Sequence, residues 1–400
     1  MRLLVHDYAG HPFQIQLSRE LARRGHTVLH AFAGNLQTPR GALSRTVDDA
    51  PSFDVREVKM DAAYSAKKYS FVRRRRMEIR YGHEVARLID DWKPEVVISG
   101  NTPTEAQTSI VRACRKQSAS FVYWLQDFYS IAVDKLARRK LPIVGAGVGW
   151  WYRFLDRKHF AASDAIVVIT DDFRPILADL FAVDGDRIHT IPNWGPLADF
   201  PTVSRSNDWS REHGLEDRFV FLYTGTLGMK HNPDLLLQLG SQYRQDPNVR
   251  IVVISEGIGA EWLLRRCQDE GLTNIAVYPY QPFEQMPSIL ASGDLLISVL
   301  EADAGVFSVP SKVLTYFCAG RAQLAAVPHD NLVTRLIGQA GAGITVDPSD
   351  VGAFLEAANL LKGAASQRIE MGQKGRKYAE ATFAIDRIAS EFEDVFNNSR

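Results

Sequence analysis

The feature that most constrains this chain is a regular alternation of short apolar runs with amphipathic helical segments. The run 1–6 is followed by a loop with Gly10, a helical segment 15–24 that ends at Gly25, and the run 26–32. Further apolar runs in this half are residues 95–99, 121–125 and 165–169. Because a crossover helix joins parallel strands, this order predicts an open parallel sheet.

The alternation starts again after the segment Ile191-Pro192-Asn193. Strand candidates in the second half are residues 219–223, 251–254, 275–278, 295–299 and 323–327. A chain of 400 residues exceeds the usual size of one core. We predict an α/β protein of two Rossmann-like, doubly wound parallel-sheet domains, 1–192 and 193–382, which face a central cleft. Residues 383–400 are expected to form an amphipathic helix, with an apolar face of Ile385, Ile388, Phe392, Val395 and Phe396.

Composition narrows the classes of function. The chain has 47 basic and 47 acidic residues, which argues against a protein that coats nucleic acid through bulk charge. Cys114, Cys267 and Cys318 form no CxxC pair, so we expect a reducing compartment and neither disulfides nor a zinc site. The first residues lack the apolar stretch of a secretory signal, and no run reaches about 18 apolar residues. A cytoplasmic protein is expected.

Glycine-containing loops after predicted strands are candidate phosphate sites. Gly10 precedes the first helix, Gly225 follows the run 219–223, and Gly257 follows the run 251–254. Glycine lets the backbone approach a ligand and helix N-termini attract anions, although each loop could simply turn the chain. Lys230, just before the next helix, could reach a pyrophosphate or be solvated.

A further candidate is the segment 309–316, which opens a helix that Gly320 ends. Ser311 and Lys312 at the start of this helix could bind a phosphate or a ribose. A serine at this position is also a common helix cap.

These segments together resemble the retaining glycosyltransferases of family 4. The likeness covers nearly the whole chain and rests on AGHPFQIQLSRELARRGHTV, IPNW, YTGTLGMKHNPDLLL, VYPYQP and VPSKVLTYFCAGR. The branch it most resembles contains bacterial capsule, colanic-acid and exopolysaccharide enzymes. The resemblance implies a GT-B fold, an N-terminal domain that binds the acceptor, a C-terminal domain that binds the nucleotide-sugar donor, and a last helix that packs back on the N-terminal domain.

The resemblance also implies roles for single residues. Lys230 would neutralise the donor pyrophosphate, and the backbone around Tyr280 and Pro282 would frame the base. Glu301 and Asp303 would meet the sugar hydroxyls. The residues expected at the donor are Gly10, Gly225, Thr226, Lys230, Gly257, Tyr280, Pro282, Ser311, Lys312 and Thr315.

Three positions depart from the pattern of the family. Two glutamates usually stand eight positions apart in the last motif, and counting back from Gly320 places Phe307 and Thr315 there. Thr226 stands where an arginine often follows the first glycine of the phosphate loop. Gln126-Asp127 follows the fourth predicted strand, where many members have a histidine beside the sugar.

The expected reaction is a retaining transfer in which the leaving pyrophosphate takes the proton of the acceptor hydroxyl. The residues expected to act in catalysis are Asp127, Lys230 and Glu301. Asp127 would orient the acceptor hydroxyl or steady the positive sugar ring, and its alternative role is to cap a turn. The D-x-D segment Asp184-Gly185-Asp186 is interpreted as a surface turn, so we expect catalysis without a metal ion or other cofactor.

Two basic stretches lie beside aromatic residues in the predicted acceptor domain. Arg73, Arg74, Arg75 and Arg76 stand in the first, with Lys67, Lys68 and Arg80, and the second, 135–140, precedes Trp150 and Trp151. Each could be a solvated or packed helix face, but both suit the interface of an anionic membrane. We expect peripheral contact with the inner face of the plasma membrane and an acceptor that is a glycan or is linked to polyprenyl pyrophosphate.

The predicted function is transfer of a sugar from a UDP- or GDP-sugar to a glycan or lipid-linked acceptor in bacterial surface polysaccharide synthesis. Two alternatives share the architecture. A sugar-nucleotide 2-epimerase would need acid and base side chains that are sparse here. A nucleotide-sugar-binding protein with weak or no transferase activity would fit Phe307 and Thr315. Nucleic acid is not expected as a partner.

Overall fold

The computed structural model describes residues 1–36, 40–61, 64, 71–100, 102–140, 142–228, 231–302 and 311–398. The chain divides into two compact units, Met1–Pro192 with Ile385–Arg400, and Asn193–Ala384. Phe383, assigned above to the terminal helix, lies in the second unit, with its ring centroid 6.1 Å from that of Tyr378.

The first unit is built on a parallel sheet of seven strands. They are β1 (Arg2–Asp7), β2 (Thr27–Ala33), β3 (Phe53–Val58), β4 (Val96–Gly100), β5 (Ser120–Leu125), β6 (Ala165–Val168) and β7 (Ile188–Thr190), in the order β3-β2-β1-β4-β5-β6-β7. The strands β1, β4, β5 and β6 are buried almost throughout, as parallel strands covered on both faces are. The strand order reverses between β1 and β4, which is where such sheets bind ligands.

The helices of this unit connect successive strands. They are α1 (Pro12–Arg23), α2 (Phe71–Trp92), α3 (Thr104–Gln117), α4 (Tyr129–Lys140), α5 (Pro142–Ala162) and α6 (Phe173–Phe181). Helix α1 begins earlier than predicted because Pro12 occupies its first position, where the missing N–H costs nothing.

The second unit repeats this architecture with six parallel strands. They are β8 (Phe219–Thr224), β9 (Val249–Ile254), β10 (Ile275–Tyr278), β11 (Leu295–Val299), β12 (Gln323–Ala326) and β13 (Gly343–Val346), in the order β10-β9-β8-β11-β12-β13. Its helices are α7 (Asp208–Glu212), α8 (Pro233–Gln242), α9 (Ile258–Glu270), α10 (Met286–Ala291), α11 (Lys312–Ala319), α12 (Leu332–Ala340), α13 (Val351–Gly363) and α14 (Ala365–Thr382). The order reverses between β8 and β11.

The terminal helix α15 (Ile385–Asn398) belongs to the first unit. Its apolar face is buried, and the ring of Phe392 lies 4.9 Å from that of Trp124 on β5. Glu393 accepts hydrogen bonds from Arg24 (2.7 Å) and pairs with His26 (2.9 Å). The apolar face that the sequence predicts for this helix is thus buried against the first unit.

The sequence did not predict β3, β7 or β13. These strands lie at the edges of the two sheets, where one side has no neighbouring strand and the residues are partly exposed. Partial exposure admits polar residues in β3 and β7, whereas the edge strand β10 keeps an apolar run and was predicted. Cys114, Cys267 and Cys318 are buried and free. Among the described residues, no helix has both the length and the apolar character needed to cross a bilayer.

Candidate functional site

The loop after β8 begins at a glycine in the left-handed region. Gly225 has φ +97°, and its N–H donates to the carbonyl of Ile254 at the end of β9 (3.0 Å). The hydroxyl of Tyr316 on α11 accepts the N–H of Thr224 (3.0 Å) and donates to the carbonyl of Ile297 on β11 (3.3 Å). Tyr316 therefore fixes the end of β8 against β11 at the reversal of strand order.

Lys312 lies beside this loop with its charge buried. Its ammonium nitrogen is 3.5 Å from the ring centroid of Tyr223, and among the described residues it has no hydrogen-bond partner. Burial lowers the pKa of Lys312 well below its usual value. A Cβ on Gly225 would lie 3.6 Å from this nitrogen, so glycine keeps the approach open. A buried cation without a counter-ion is costly, and an anion bound here would stabilise it.

A second group of polar residues follows β8, β9 and β10. The hydroxyl oxygens of Thr226 and Tyr280 are 3.0 Å apart, and the N–H of Tyr280 donates to Glu256 (3.1 Å). Gly257 has φ +102°, and no atom lies within 4 Å of the place its Cβ would take. The structure thus brings together Thr226, Tyr280 and Gly257 through Glu256.

The other predicted donor residues take different positions. Pro282 precedes a short 3-10 helix, Phe283–Gln285. Ser311 is exposed before α11 and makes no capping hydrogen bond with its side chain, and Thr315 is half-buried on that helix. Glu301 is half-buried two residues after β11. The predicted residues Lys230, Asp303 and Phe307 lie outside the described residues.

The loop after β1 is organised by Asp7. This buried carboxylate accepts the N–H of Ala9 (3.1 Å) and of His11, and burial raises its pKa to about 7 although backbone hydrogen bonds act in the opposite direction. Gly10 has φ +78°, and a Cβ there would lie 2.7 Å from the Leu43 side chain. The close approach at Gly10 is therefore made by Leu43, and contact of Gly10 with a donor stays a prediction.

A cavity of about 210 Å³ lies in the first unit, at the carboxyl ends of β1, β4 and β5. The residues that line it include Tyr8, Arg74, Glu78, Gln126, Asp127 and Tyr129. Glu78 accepts a hydrogen bond from the Tyr64 hydroxyl (2.8 Å) and pairs with Arg74 (3.4 Å), which also binds the Tyr129 hydroxyl. Burial raises the pKa of Glu78 to about 7.

The first basic stretch divides into two kinds of arginine. Arg74 is engaged as described, and Arg75 donates to Glu105 (3.0 Å), whereas Arg73 and Arg76 are exposed. The expectation that all four arginines face an anionic surface is thus wrong for Arg74, because a buried carboxylate and a tyrosine hold it. For Arg75, whose side chain is 41% exposed, contact with an anionic surface stays a prediction. Lys67 and Lys68 lie outside the described residues.

The exposed arginines adjoin an apolar surface on α5. Trp150 and Trp151 are 60% and 40% exposed, and Ile143 is 90% exposed. A groove of about 580 Å³ brings Val72, Arg76 and Trp151 together. Large exposed apolar side chains in one patch are typical of an interaction surface.

The segment Asp184-Gly185-Asp186 is an exposed turn, as predicted. The Asp184 carboxylate caps the 3-10 helix Gly185–Arg187 by accepting the N–H of Asp186 (3.3 Å). Elsewhere in the described part of the chain, no three His, Cys, Asp or Glu side chains group as metal ligands would.

Comparison with known families covers both units. The profile described as Glycosyl transferase 4-like domain matches residues 14–194, and the profile described as Glycosyl transferases group 1 matches residues 205–378. The chain is a family 4 glycosyltransferase. Its resemblance to that family, and the predicted GT-B fold, are confirmed.

Individual relatives of this glycosyltransferase are distant. The protein named "Putative colanic acid biosynthesis glycosyl transferase WcaI" from Escherichia coli (strain K12) is 24% identical over 313 residues, which are 75% of this chain and 73% of that protein. Sucrose-phosphate synthase from Thermosynechococcus elongatus has a TM-score of 0.73 at 13% identity, over 99% of this chain and 98% of that one. Anabaena HepE in complex with UDP-glucose has a TM-score of 0.70 at 13% identity, over 99% of both chains. Such structures show the fold alone.

Several residues of the glycosyltransferase sites were missed in the sequence. Asp7 could have been found, since a carboxylate between a strand and a glycine loop is a usual loop anchor. Glu78 is hidden behind the run of arginines, and its burial follows only from α2 packing on Tyr64 and α4. Tyr223 looks like an ordinary strand residue until Lys312 is placed over its ring.

Proposed function

We propose that this glycosyltransferase moves a sugar, with retention of configuration, from a UDP- or GDP-sugar to a glycan or lipid-linked acceptor. The second unit would bind the donor and the first unit the acceptor. The observation that carries the proposal is the buried ammonium of Lys312 beside Gly225, at the reversal of strand order in the second sheet. A donor pyrophosphate would supply an anionic partner for this ammonium group, which has no hydrogen-bond partner among the described residues. The structure of HepE with UDP-glucose supports a nucleotide-sugar donor for the shared fold.

The proposed step is attack on the same face of the sugar that the pyrophosphate leaves. The bond from the anomeric carbon to the phosphate oxygen breaks, a bond to the acceptor oxygen forms, and the acceptor proton passes to the leaving phosphate. Lys312 and Lys230 would stabilise the negative charge that develops on the pyrophosphate. Asp127 would orient the acceptor hydroxyl, and Glu301 would hold hydroxyls of the donor sugar.

We propose that this step needs no metal ion, because lysine ammonium groups would supply the positive charge. Activity that is unchanged by excess EDTA and by added Mg²⁺ or Mn²⁺ is the expected result. Loss of activity in EDTA, restored by one of these ions, would contradict it.

The proposed biological role is the synthesis of a bacterial surface polysaccharide, which the name of the Escherichia coli relative suggests. We propose that the protein is cytoplasmic and contacts the inner face of the plasma membrane. Arg73, Arg76, Trp150 and Trp151 would contact anionic lipid headgroups, since exposed tryptophans and arginines suit that interface.

The membrane contact is tested by sedimentation with vesicles that contain phosphatidylglycerol. Arg73→Glu with Arg76→Glu should abolish sedimentation with these vesicles. Arg87→Glu, the reversal of a single charge near the other end of α2 where Arg87 pairs with Glu84, should leave it intact. Equal sedimentation of both variants would remove the membrane contact.

The main test of the proposed function is incubation with a panel of UDP-, GDP- and ADP-sugars, followed by NMR. Release or transfer of the sugar with its anomeric configuration retained is the expected outcome. Thr315, which is not a carboxylate and stands one turn beyond Lys312 on α11, favours a second candidate, a nucleotide-sugar-binding protein. Tight binding without turnover would select that candidate, and inversion at C2 of the free donor would select an epimerase.

A further inference from the structure

The cavity of the first unit offers an unused hydrogen-bond acceptor. Glu78 is 2% exposed, and its oxygen Oε1 is occupied by Tyr64 and Arg74. Its second oxygen, Oε2, is buried and has no hydrogen-bond partner among the described residues. Buried carboxylate oxygens are rarely left in this state, because water or protein donors normally satisfy them. The open oxygen therefore indicates a place for a donor group of a ligand.

The walls of this cavity suit a sugar ring. Tyr8 and Tyr129 offer aromatic surface, which packs against the apolar face of a pyranose, and Gln126 and Asp127 add polar groups. The volume of about 210 Å³ is below that of pockets for drug-sized ligands and fits one small ring. Tyr8 is itself held by an edge-on contact with Tyr81, with ring centroids 5.2 Å apart.

The charges of the cavity restrict the ligand further. A carboxylate accepts hydrogen bonds from hydroxyl groups and repels carboxylates and phosphates, and Glu78 and Asp127 both line the cavity. Because burial raises the pKa of Glu78 to about 7, its carboxyl group takes this acceptor form above that pH. The Arg74 guanidinium, the one cation among the lining residues that the structure describes, is already engaged by Glu78 and Tyr129. An anionic ring would thus meet two acceptors and, among the described residues that line the cavity, no cation beyond the engaged Arg74.

We propose that this cavity binds the terminal sugar of the acceptor, as a neutral, hydroxyl-rich ring, and that Glu78 determines this specificity. This inference rests on the proposed function, since it gives the acceptor a place in the first unit. One ring hydroxyl donates to Oε2 of Glu78. Arg74 and Tyr64 act as positioning residues, because they fix the other oxygen of that carboxyl.

The experiment is saturation-transfer NMR at about pH 8, above the raised pKa of Glu78, with methyl glycosides of glucose, galactose and mannose, and with methyl glucuronide as the anionic counterpart. At least one neutral glycoside should bind, and the glucuronide should bind more weakly. Glu78→Leu should weaken the neutral glycoside about tenfold or more, since it removes a charged acceptor. Glu78→Gln keeps an acceptor oxygen without charge and should weaken it only about threefold.

The matched control is Glu84→Gln on the same helix, where Glu84 pairs with Arg87 at the surface. This variant should bind glycosides as the wild type does. Wild-type affinity in Glu78→Leu, tighter binding of the glucuronide, or binding of no glycoside would overturn the proposal. If Glu78→Leu does not fold, wild-type affinity in Glu78→Gln would overturn it as well.

Competition with nucleotides and with sugar nucleotides separates this inference from the proposal that the second unit binds the donor. UDP and GDP should leave the glycoside signal unchanged, and so should UDP-glucose and GDP-mannose. Displacement by the sugar nucleotides but not by the free nucleotides would mean that the cavity holds the donor sugar, and would overturn the acceptor assignment. Failure of UDP and GDP to bind at all would contradict the proposed function while the glycoside result stands.

Discussion

The two units have the same parallel-sheet architecture, but the ionisable groups buried at the carboxyl ends of their strands are of opposite type, a base in the second unit and acids in the first. In the second unit the buried group at these strand ends is the ammonium of Lys312, which lies over Tyr223. In the first unit the buried groups are the carboxyls of Asp7 and Glu78. Burial lowers the pKa of Lys312 and raises the pKa values of Asp7 and Glu78, so it favours the neutral form of each group.

This difference teaches where specificity resides in such a chain. The reversal of strand order places a ligand site in each sheet, whatever the loops contain. The side chains buried beside it, here on α11 and α2, then decide whether that site suits an anion or hydroxyl groups. A buried lysine without a counter-ion suits a pyrophosphate, and a buried carboxyl with an open oxygen suits a sugar.

The largest expected effect is that of Lys312→Met. The affinity for the nucleoside diphosphate that the wild type binds should fall about 100-fold, because a phosphate loses its buried charged partner. The melting temperature of the free protein should rise, since the variant no longer buries an amine whose pKa burial lowers. Titration calorimetry and thermal melting measure the two effects.

The matched control is Lys362→Met. Lys362 also lies near a tyrosine ring, 5.5 Å from that of Tyr243, but it is paired with Asp246 at 3.1 Å. Nucleotide affinity should be unchanged in this variant. If Lys312→Met bound nucleotides as well as Lys362→Met does, Lys312 would not be an anion site, and the proposed difference between the two units would be contradicted.

The next expected effect is a change in the pH dependence of stability, and it concerns the buried carboxyl group of Glu78. Burial raises the pKa of Glu78 in the folded protein to about 7, whereas the same carboxyl group has its ordinary, lower pKa in the unfolded chain. Between these two values the folded protein holds a proton that the unfolded chain has released. Stability therefore falls as pH rises toward about 7. Glu78→Gln cannot ionise, and the loss of unfolding free energy between about pH 5 and about pH 8 should shrink by on the order of 2–3 kcal/mol.

Urea denaturation at the two pH values measures this effect. Asp7, whose pKa is also raised to about 7, should continue to contribute a loss in the variant. Glu84→Gln, at the surface of the same helix, should retain the full loss of the wild type. The same pH dependence in Glu78→Gln and in Glu84→Gln would show that Glu78 is ionised in the folded protein well below pH 7.

The contrast also shows what the sequence could predict. Central strands such as β1, β8 and β11 were found because burial on both faces leaves continuous apolar runs. The edge strands β3 and β7 were missed because partial exposure admits polar residues, whereas the edge strand β10 keeps an apolar run and was predicted. The terminal helix was found from its apolar face, but its place beside Trp124 depends on contacts far apart in the chain.

The candidate sites were predictable to different degrees. Lys312 was found because a lysine at the start of a helix after a strand is a recognisable anion site. The absence of a partner for its charge among the described residues required the structure. Glu78 was missed because a single carboxylate in an arginine-rich helix looks like a surface ion pair. The pair with Arg74 is local, at i and i+4, but the burial of Glu78 also needs Tyr64 and Tyr129, which no local pattern joins to it.

A smaller effect is expected for Gly225→Ala. The φ of +97° is unfavourable for alanine, and the new Cβ would lie 3.4 Å from Cε of Lys312. A cost of about 1–2 kcal/mol is expected, with nucleotide affinity reduced roughly tenfold. Gly338→Ala on α12, where no atom lies within 4 Å of the new Cβ, should leave nucleotide affinity unchanged. Calorimetric titration of both variants measures the difference, and equal affinities would contradict a role of the open approach at Gly225.

The smallest expected effect tests whether Tyr280 acts through its hydroxyl or its ring. Tyr280→Phe removes only the hydrogen bond to Thr226 (3.0 Å), which is worth about 0.5–1.5 kcal/mol at most. If the two hydroxyls serve only each other, Thr226→Val should cost nucleotide affinity a similar amount, and the double variant should cost no more than either one. Additive losses in calorimetry would mean that one of the hydroxyls binds the nucleotide directly. The site at the carboxyl ends of the strands in the second unit would then recognise its ligand by neutral hydrogen bonds as well as by charge.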